Sequence, residues 1–181
     1  MAKFVPQEEL SLVDQVRIRR EKLAQLRESG RDPFRLTRFD VTTNSAEIKE
    51  HFDDMEGKSV SVAGRLMTKR GMGKVIFADL QDDTGRIQLY LKFDEMEEAN
   101  FEACRKLDIG DIVGVNGDVF RTQRGEISVR AHSVTLLSKA LLPLPDKFHG
   151  LTNTETRYRQ RYVDLIANPE VKDTFVKRSM I

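Results

Sequence analysis

Between Lys58 and Lys92 apolar and polar residues alternate in three short runs, separated by two turns that contain glycine. A period of two places successive side chains on opposite faces of a strand, so the stretch predicts three consecutive strands with one buried face. In the first, about Val60–Lys69, the residues Val60, Val62, Gly64 and Leu66 take the inner side, and Ser61, Arg65, Met67 and Lys69 the outer. Arg70–Gly73 (RGMG) reads as the first turn and Asp82–Gly85 (DDTG) as the second. Between them Ile76, Ala78 and Leu80 point in. Val75, Phe77, Asp79 and Gln81 point out. In the third strand Ile87, Leu89 and Leu91 point in, and Arg86, Gln88, Tyr90 and Lys92 point out. Phe77 is the anomaly, an aromatic ring on the polar side. Beside Gln88, Tyr90 and basic groups, such a ring suits the stacking of an unpaired nucleic-acid base.

The remaining elements follow in order. An amphipathic helix runs from Ser11 towards Gly30, with Leu12, Val16, Leu23 and Leu26 near one stripe and most of its basic residues elsewhere. Residues 31–57 wrap towards the strands, with a short helix at Ser45–Phe52. An acidic helix at 94–107, N-capped by Asp94, separates the third strand from a fourth at Ile112–Arg121. TQRG turns the chain into a fifth strand at Glu126–Leu137, with Glu126, Ser128, Arg130 and His132 outward. Three strands, a helix and two strands is the order of an OB-fold, a five-stranded Greek-key barrel. The predicted fold class is therefore mainly β with flanking helices. The expected domains are a helical extension at 1–57, the OB-fold at 58–140, and a linker with further helices at 141–181. Those helices are read at Thr154–Ile166 and Glu170–Ile181.

Composition narrows the function. The formal net charge is only +1, but residues 58–92 carry a net +4 and residues 94–111 a net −5. Such a polarised surface can steer a polyanion to one face. One cysteine, Cys104, excludes an internal disulfide and a cysteine-based zinc site, and three scattered histidines give no metal spacing. The opening MAKFVPQEEL lacks a secretory pattern, and no run reaches a membrane-spanning length. A cytoplasmic protein with no membrane partner is expected.

Three stretches carry a family resemblance: REKLAQLRESG, GRLMTKRGMGKVIFADLQDDTGRIQLYL and LLPLPDKFHGLTNTETRYRQRYVDLIANPEV. Together they resemble the N-terminal region of bacterial-type class II lysyl-tRNA synthetases. The resemblance implies an anticodon-binding OB-fold attached to a catalytic domain that activates lysine with ATP and Mg2+ and charges the tRNA for lysine, usually as a homodimer. It places the stacking ring on Phe77 and the base-reading amide on Gln88. It also places arginines on Arg70, at the first turn, and Arg65, and an acidic residue on Glu126. From the charge pattern, Lys69 and Lys74 join the candidate phosphate contacts. Residues 168–181 resemble only the start of the first class II motif, and the second and third motifs are absent. The expectation is an RNA-binding chain with no catalytic residue and no cofactor of its own. Two other readings stand beside it: a general single-strand-binding module, and a structural or dimerisation fragment.

Overall fold

A computed structural model describes residues 11–145, 151 and 153–181. Residues 1–10 of the expected extension and the DKFHG part of the linker lie outside the described residues. The chain divides after Leu142 into two compact units.

In the first unit five strands close into a ring: β1 (Ser59–Met72), β2 (Val75–Gln81), β3 (Arg86–Lys92), β4 (Ile112–Arg121) and β5 (Ile127–Ser138). Their order around the ring is β1-β2-β3-β5-β4. All neighbours are antiparallel except β3 and β5, which run parallel over four paired positions, Gln88–Leu91 against Ser128–Ala131. The barrel predicted from the alternation is thus present. Its interior is filled by the predicted apolar set, with Leu66, Leu80, Ile87, Leu89, Val113 and Val129 all 2% exposed or less.

β1 closes the ring by changing partner along its length. Ser59–Arg65 pair with β4, and Arg65–Met72 pair with β2. The register against β2 slips between Leu66 and Thr68, so Met67 is an extra residue. Such a bulge increases local twist and bends the strand, as a small barrel requires. It also reverses the alternation beyond it. Lys69 lies opposite Ala78 on the inner side, and Arg70 lies opposite Phe77 on the outer side. This corrects the sequence reading, which had Lys69 outward and Arg70 in the turn. The hairpin tip is two residues further on, at Gly73 and Lys74. Gly73 has φ +59°, the positive angle a two-residue hairpin turn needs at its first position.

Helices close the ends. The predicted acidic helix is shorter than its sequence suggests. A 3-10 turn covers Phe93–Glu95, and α4 covers Glu98–Arg105. Phe101 of α4 is fully buried at the barrel's base. Burial pushes the Cys104 thiol beside it up to about 12, which makes it a poor nucleophile. The Ser45–Phe52 helix is two short ones, α2 (Ser45–Glu50) and α3 (Phe52–Met55). Upstream of them Phe39 lies across β4, where a side chain at Gly114 would collide with its ring. Asp82, at the β2–β3 turn, ties that turn to α2. Its carboxylate accepts from the Ser45 N–H (2.6 Å) and hydroxyl (2.8 Å), and from the Thr84 and Gly85 N–H groups (2.8 Å each).

The N-terminal helix α1 (Leu12–Glu28) attaches differently from its predicted apolar stripe. Leu23 is buried, but Leu12 is 62% exposed. Arg19, read as part of the solvated basic face, is buried and donates to the carbonyls of Ile109 (3.1 Å), Ala140 (3.1 Å) and Leu142 (3.4 Å). Next to it lies a sealed charge cluster. Lys139 Nζ sits 2.5 Å from Asp108 and 2.8 Å from Asp111, and Lys22 reaches Asp108 at 2.6 Å. Asp111 also accepts from the N–H groups of Asp108 and Ala140.

The second unit contains α5 (Thr154–Arg159), α6 (Arg161–Ala167) and α7 (Pro169–Met180). The single helix predicted over 154–166 breaks at Gln160, where the backbone leaves helical geometry (φ −117°, ψ 57°). Asp164, with no exposed side-chain surface, collects Arg157 (2.8 Å), Asn168 (2.7 Å) and Arg161. Among the described residues no helix is long and apolar enough to cross a membrane.

Two stability predictions follow from Lys139, which is buried, and Asp82, which is half-buried. Lys139→Met leaves two sealed carboxylates short of a countercharge, and urea denaturation should show a loss of about 3–5 kcal/mol. Asp82 behaves differently because its partners are neutral hydrogen-bond donors and not a countercharge. Burial works to raise its pKa, but the bonds from Ser45, Thr84 and Gly85 outweigh it and hold the carboxyl below its ordinary 3.8. A depressed folded pKa gives stability that is complete above the unfolded value and lost as pH falls through the folded one. Asp82→Asn should therefore cost about 1–3 kcal/mol at neutral pH. The gap between parent and variant should narrow as pH drops below about 4, measured by denaturation at a series of pH values.

Candidate nucleic-acid interface

The outer face of β2, β3 and β5 assembles by register. Phe77 lies opposite Tyr90, and Asp79 opposite Gln88. Across the parallel seam Gln88 lies beside Ser128, and Tyr90 beside Arg130. Two rows result. One runs Arg70, Phe77, Tyr90, Arg130, and the other Thr68, Asp79, Gln88, Ser128.

Three rings touch in sequence, Phe77 and Tyr90 of the first row and Phe120 of β4, which lies opposite Ser128. Phe77 and Tyr90 have centroids 5.3 Å apart and planes tilted by 55°. Tyr90 and Phe120 are 5.6 Å apart at 59°. The Arg130 guanidinium sits 4.7 Å from the Phe120 centroid and 3.6 Å from Glu95, which also pairs with Lys92 at 3.0 Å. Tilted aromatic pairs at these separations contribute about 0.5–1.5 kcal/mol each beyond their burial. Phe77 is therefore held before any base arrives, and it remains partly open to solvent. Arg70, exposed, is its neighbour on β1.

In the second row the Thr68 hydroxyl donates to Asp79 at 2.6 Å, and the Ser128 hydroxyl donates to Gln88 Oε1 at 3.0 Å. Phe77 and Gln88 are diagonal neighbours, about 7–8 Å apart at this spacing. A base laid on the Phe77 ring would present an edge to the Gln88 amide.

The other sequence candidates separate. Glu126 is exposed, in the β4–β5 turn just before β5 rather than inside it. Its backbone is held by Thr122, and it precedes Ser128 by two residues, on the Gln88 side. Lys74 is exposed at the hairpin tip, 3.5 Å from Asp94 and 5.2 Å from the Phe93 ring, a loose arrangement open to a phosphate. Arg65 is half-buried and donates to the Gly110 carbonyl at 2.8 Å, and burial pushes its pKa down. It pairs with Gln81, about 13 Å along β2 from Phe77. Lys69 is engaged elsewhere. Its ammonium donates to the carbonyls of Arg105 (2.8 Å), Leu107 and Cys104 (3.5 Å), and burial pushes its pKa down. A cation at a helix C-terminus is well placed there, and this one caps α4 at the base of the barrel. The face thus unites Phe77, Gln88 and Arg70, with Glu126 and Lys74 at its margins. Arg65 and Lys69 do not join it.

Phe120 and Ser128 belong to the face, and sequence reasoning gave them no role. A signal existed for Phe120. The buried valines of β4 are odd-numbered (Val113, Val115, Val119), so alternation puts Phe120 on the outer side. Ser128 has no comparable signature, since its importance depends on which strand lies beside β5.

Comparison with known proteins agrees with the OB-fold of the barrel. Residues 60–137 match the tRNA_anti-codon family, described as an OB-fold nucleic acid binding domain. Over 173 residues the chain is 52% identical to a lysine--tRNA ligase of Clostridium perfringens, covering 96% of this chain and 34% of that protein. A lysine--tRNA ligase of Syntrophomonas wolfei is 53% identical over 173 residues (96% and 35%). One of Lactococcus lactis is 53% identical over 177 residues (94% and 36%). The chain spans about a third of the length of these curated relatives. Residues 60–137, which make up most of the barrel, thus match the tRNA_anti-codon family of OB-fold nucleic acid binding domains, and nearly the whole chain is similar to part of these lysine--tRNA ligases.

Proposed function

We propose that this chain is the anticodon-binding part of a lysine--tRNA ligase and that it reads a uridine-rich anticodon on the outer face of β2 and β3. The observation that carries the reading is a half-open, pre-set Phe77 ring diagonal to the Gln88 amide, with Arg70 beside it. Stacking on an aromatic ring contributes about 1–3 kcal/mol per base and tolerates any base. Identity has to come from edge hydrogen bonds, and Gln88 offers both a donor and an acceptor. Arg70 and Lys74 neutralise neighbouring phosphates. Glu126 lies near enough to the Gln88 end to contact a flanking base.

In this reading residues 1–57 extend and brace the domain of residues 58–140, and residues 141–181 lead into a catalytic domain. The longer protein would work in the cytoplasm as a homodimer, activate lysine and charge the tRNA for lysine. ATP and Mg2+ would supply the activation chemistry in that catalytic domain, while the side chains described above act only on RNA.

Binding of anticodon stem-loop RNAs tests the site. Phe77→Ala should weaken binding of loops with uridine or cytidine at the middle position alike, by about 1–3 kcal/mol. Gln88→Ala should mainly erase the preference for uridine. Unchanged affinity in both variants would remove the proposed site. Equal binding of uridine-rich and scrambled loops by the parent would reduce the chain to a general single-strand binder. Arg70→Ala should lower the slope of log affinity against log salt by about 0.7, the value for one single-strand phosphate contact, measured by titration at several salt concentrations.

A further inference from the structure

We infer that Ser128 is a positioning residue for base identity: its hydroxyl holds the Gln88 amide in the one orientation that accepts uracil and refuses cytosine. The inference rests on the anticodon reading above.

A glutamine alone discriminates poorly between the two pyrimidines. Uracil offers an N3–H donor beside carbonyl acceptors. Cytosine offers an N3 acceptor beside an N4 amino donor. A carboxamide free to rotate by 180° about its terminal bond can match either edge by exchanging Oε1 and Nε2. Discrimination requires that this rotation be opposed.

On one side of Gln88 a hydrogen bond bears on this rotation, and on the other a carboxylate is the register neighbour. On the β5 side Ser128 is the register partner of Gln88, and its side chain is fully sealed. Its Oγ lies 3.0 Å from Gln88 Oε1 and 3.4 Å from the Glu126 carbonyl. A hydroxyl has one proton to donate, and the shorter contact is the one to Gln88. On the β2 side the register partner of Gln88 is Asp79, whose carboxylate is steadied by the Thr68 hydroxyl at 2.6 Å. A donor on one flank and a carboxylate on the other both favour Oε1 towards β5 and Nε2 towards β2.

In that orientation Nε2 keeps its hydrogens, and Oε1 keeps one lone pair after accepting from Ser128. A uracil stacked on Phe77 can donate N3–H to Oε1 while a carbonyl accepts from Nε2. A cytosine in the same place sets its N3 lone pair against Oε1, and like faces like. To admit cytosine the amide must flip: Nε2 would then donate to Ser128 Oγ, the hydroxyl proton would be left only the longer 3.4 Å contact to the Glu126 carbonyl, and the amide oxygen would turn towards the Asp79 carboxylate.

The test uses the full chain and two stem-loop RNAs identical except for uridine or cytidine at the middle loop position. Ser128→Ala should reduce the uridine-to-cytidine affinity ratio by about three- to tenfold, chiefly by admitting the cytidine loop. Ser128→Thr, which keeps the hydroxyl, should restore the ratio. A merely structural role would weaken both loops by one factor with the ratio preserved, and that result overturns the inference. If Gln88→Ala abolishes the preference while Ser128→Ala leaves it intact, the positioning role fails and the anticodon reading stands. A parent chain with no preference for uridine overturns both.

Discussion

β1 cannot close the ring and also keep a regular alternation along its whole length. It serves β4 with its first half and β2 with its second, and the extra residue Met67 takes up the difference. That one residue decides which side chains of the β1–β2 hairpin meet solvent beside Phe77. With it, Arg70 stands on the outer face, and Lys69 turns to the base of the barrel, where α4 presents its carbonyls. Remove the bulge and the two exchange faces, since a slip of one residue moves a whole strand segment from one side to the other. The positive group next to the stacking ring is thus a consequence of barrel closure.

A second constraint acts at the same end of the barrel but on the helices. Lys139, Asp108 and Asp111 are sealed together, with Lys22 of α1 at the edge and Arg19 bonded to three carbonyls nearby. Buried ion pairs are weak sources of net stability, because desolvation offsets most of the attraction. They are strong sources of specificity, because any arrangement that separates the partners is costly. The cluster fixes where α1, the α4–β4 loop and the end of β5 meet. An apolar contact of the same size would permit sliding.

Much of this could be read from the chain before its structure, and the parts that could not share one cause. The inner positions of β2 and β3 follow from alternation, since Ile76, Ala78, Leu80, Ile87, Leu89 and Leu91 are all buried. So does the outward placing of Phe77, Gln88 and Tyr90. Lys69 and Arg70 were misplaced because a bulge answers to ring closure, a property of five strands, while the local pattern knows only one. Arg19 looked solvated because helical periodicity counts charges and cannot see three orphan carbonyls from distant loops. The break at Gln160 was hidden because the spacing of the apolar residues on its two sides reads as one helix, while Asp164 gathers Arg157 from before the break and Asn168 from after it. Local pattern reports which face of an element is apolar, and it is silent on what the other face will meet.

The division of labour on the reading face follows from the same distinction. Phe77 is supported by Tyr90, and Tyr90 by Phe120, so the ring row is rigid through dispersion and needs no polar partner. Rigid rings give affinity without choice. Choice has to come from a group with direction, and a carboxamide has direction only if its neighbours impose one. Those neighbours come from strands far apart in sequence, Asp79 on β2 and Ser128 on β5, and only the parallel seam between β3 and β5 brings the second within reach. That seam is the shortest pairing in the barrel, four positions long, and Gln88 and Ser128 occupy its first. A barrel that left β3 and β5 apart would keep its stacking row and lose the means to hold its amide.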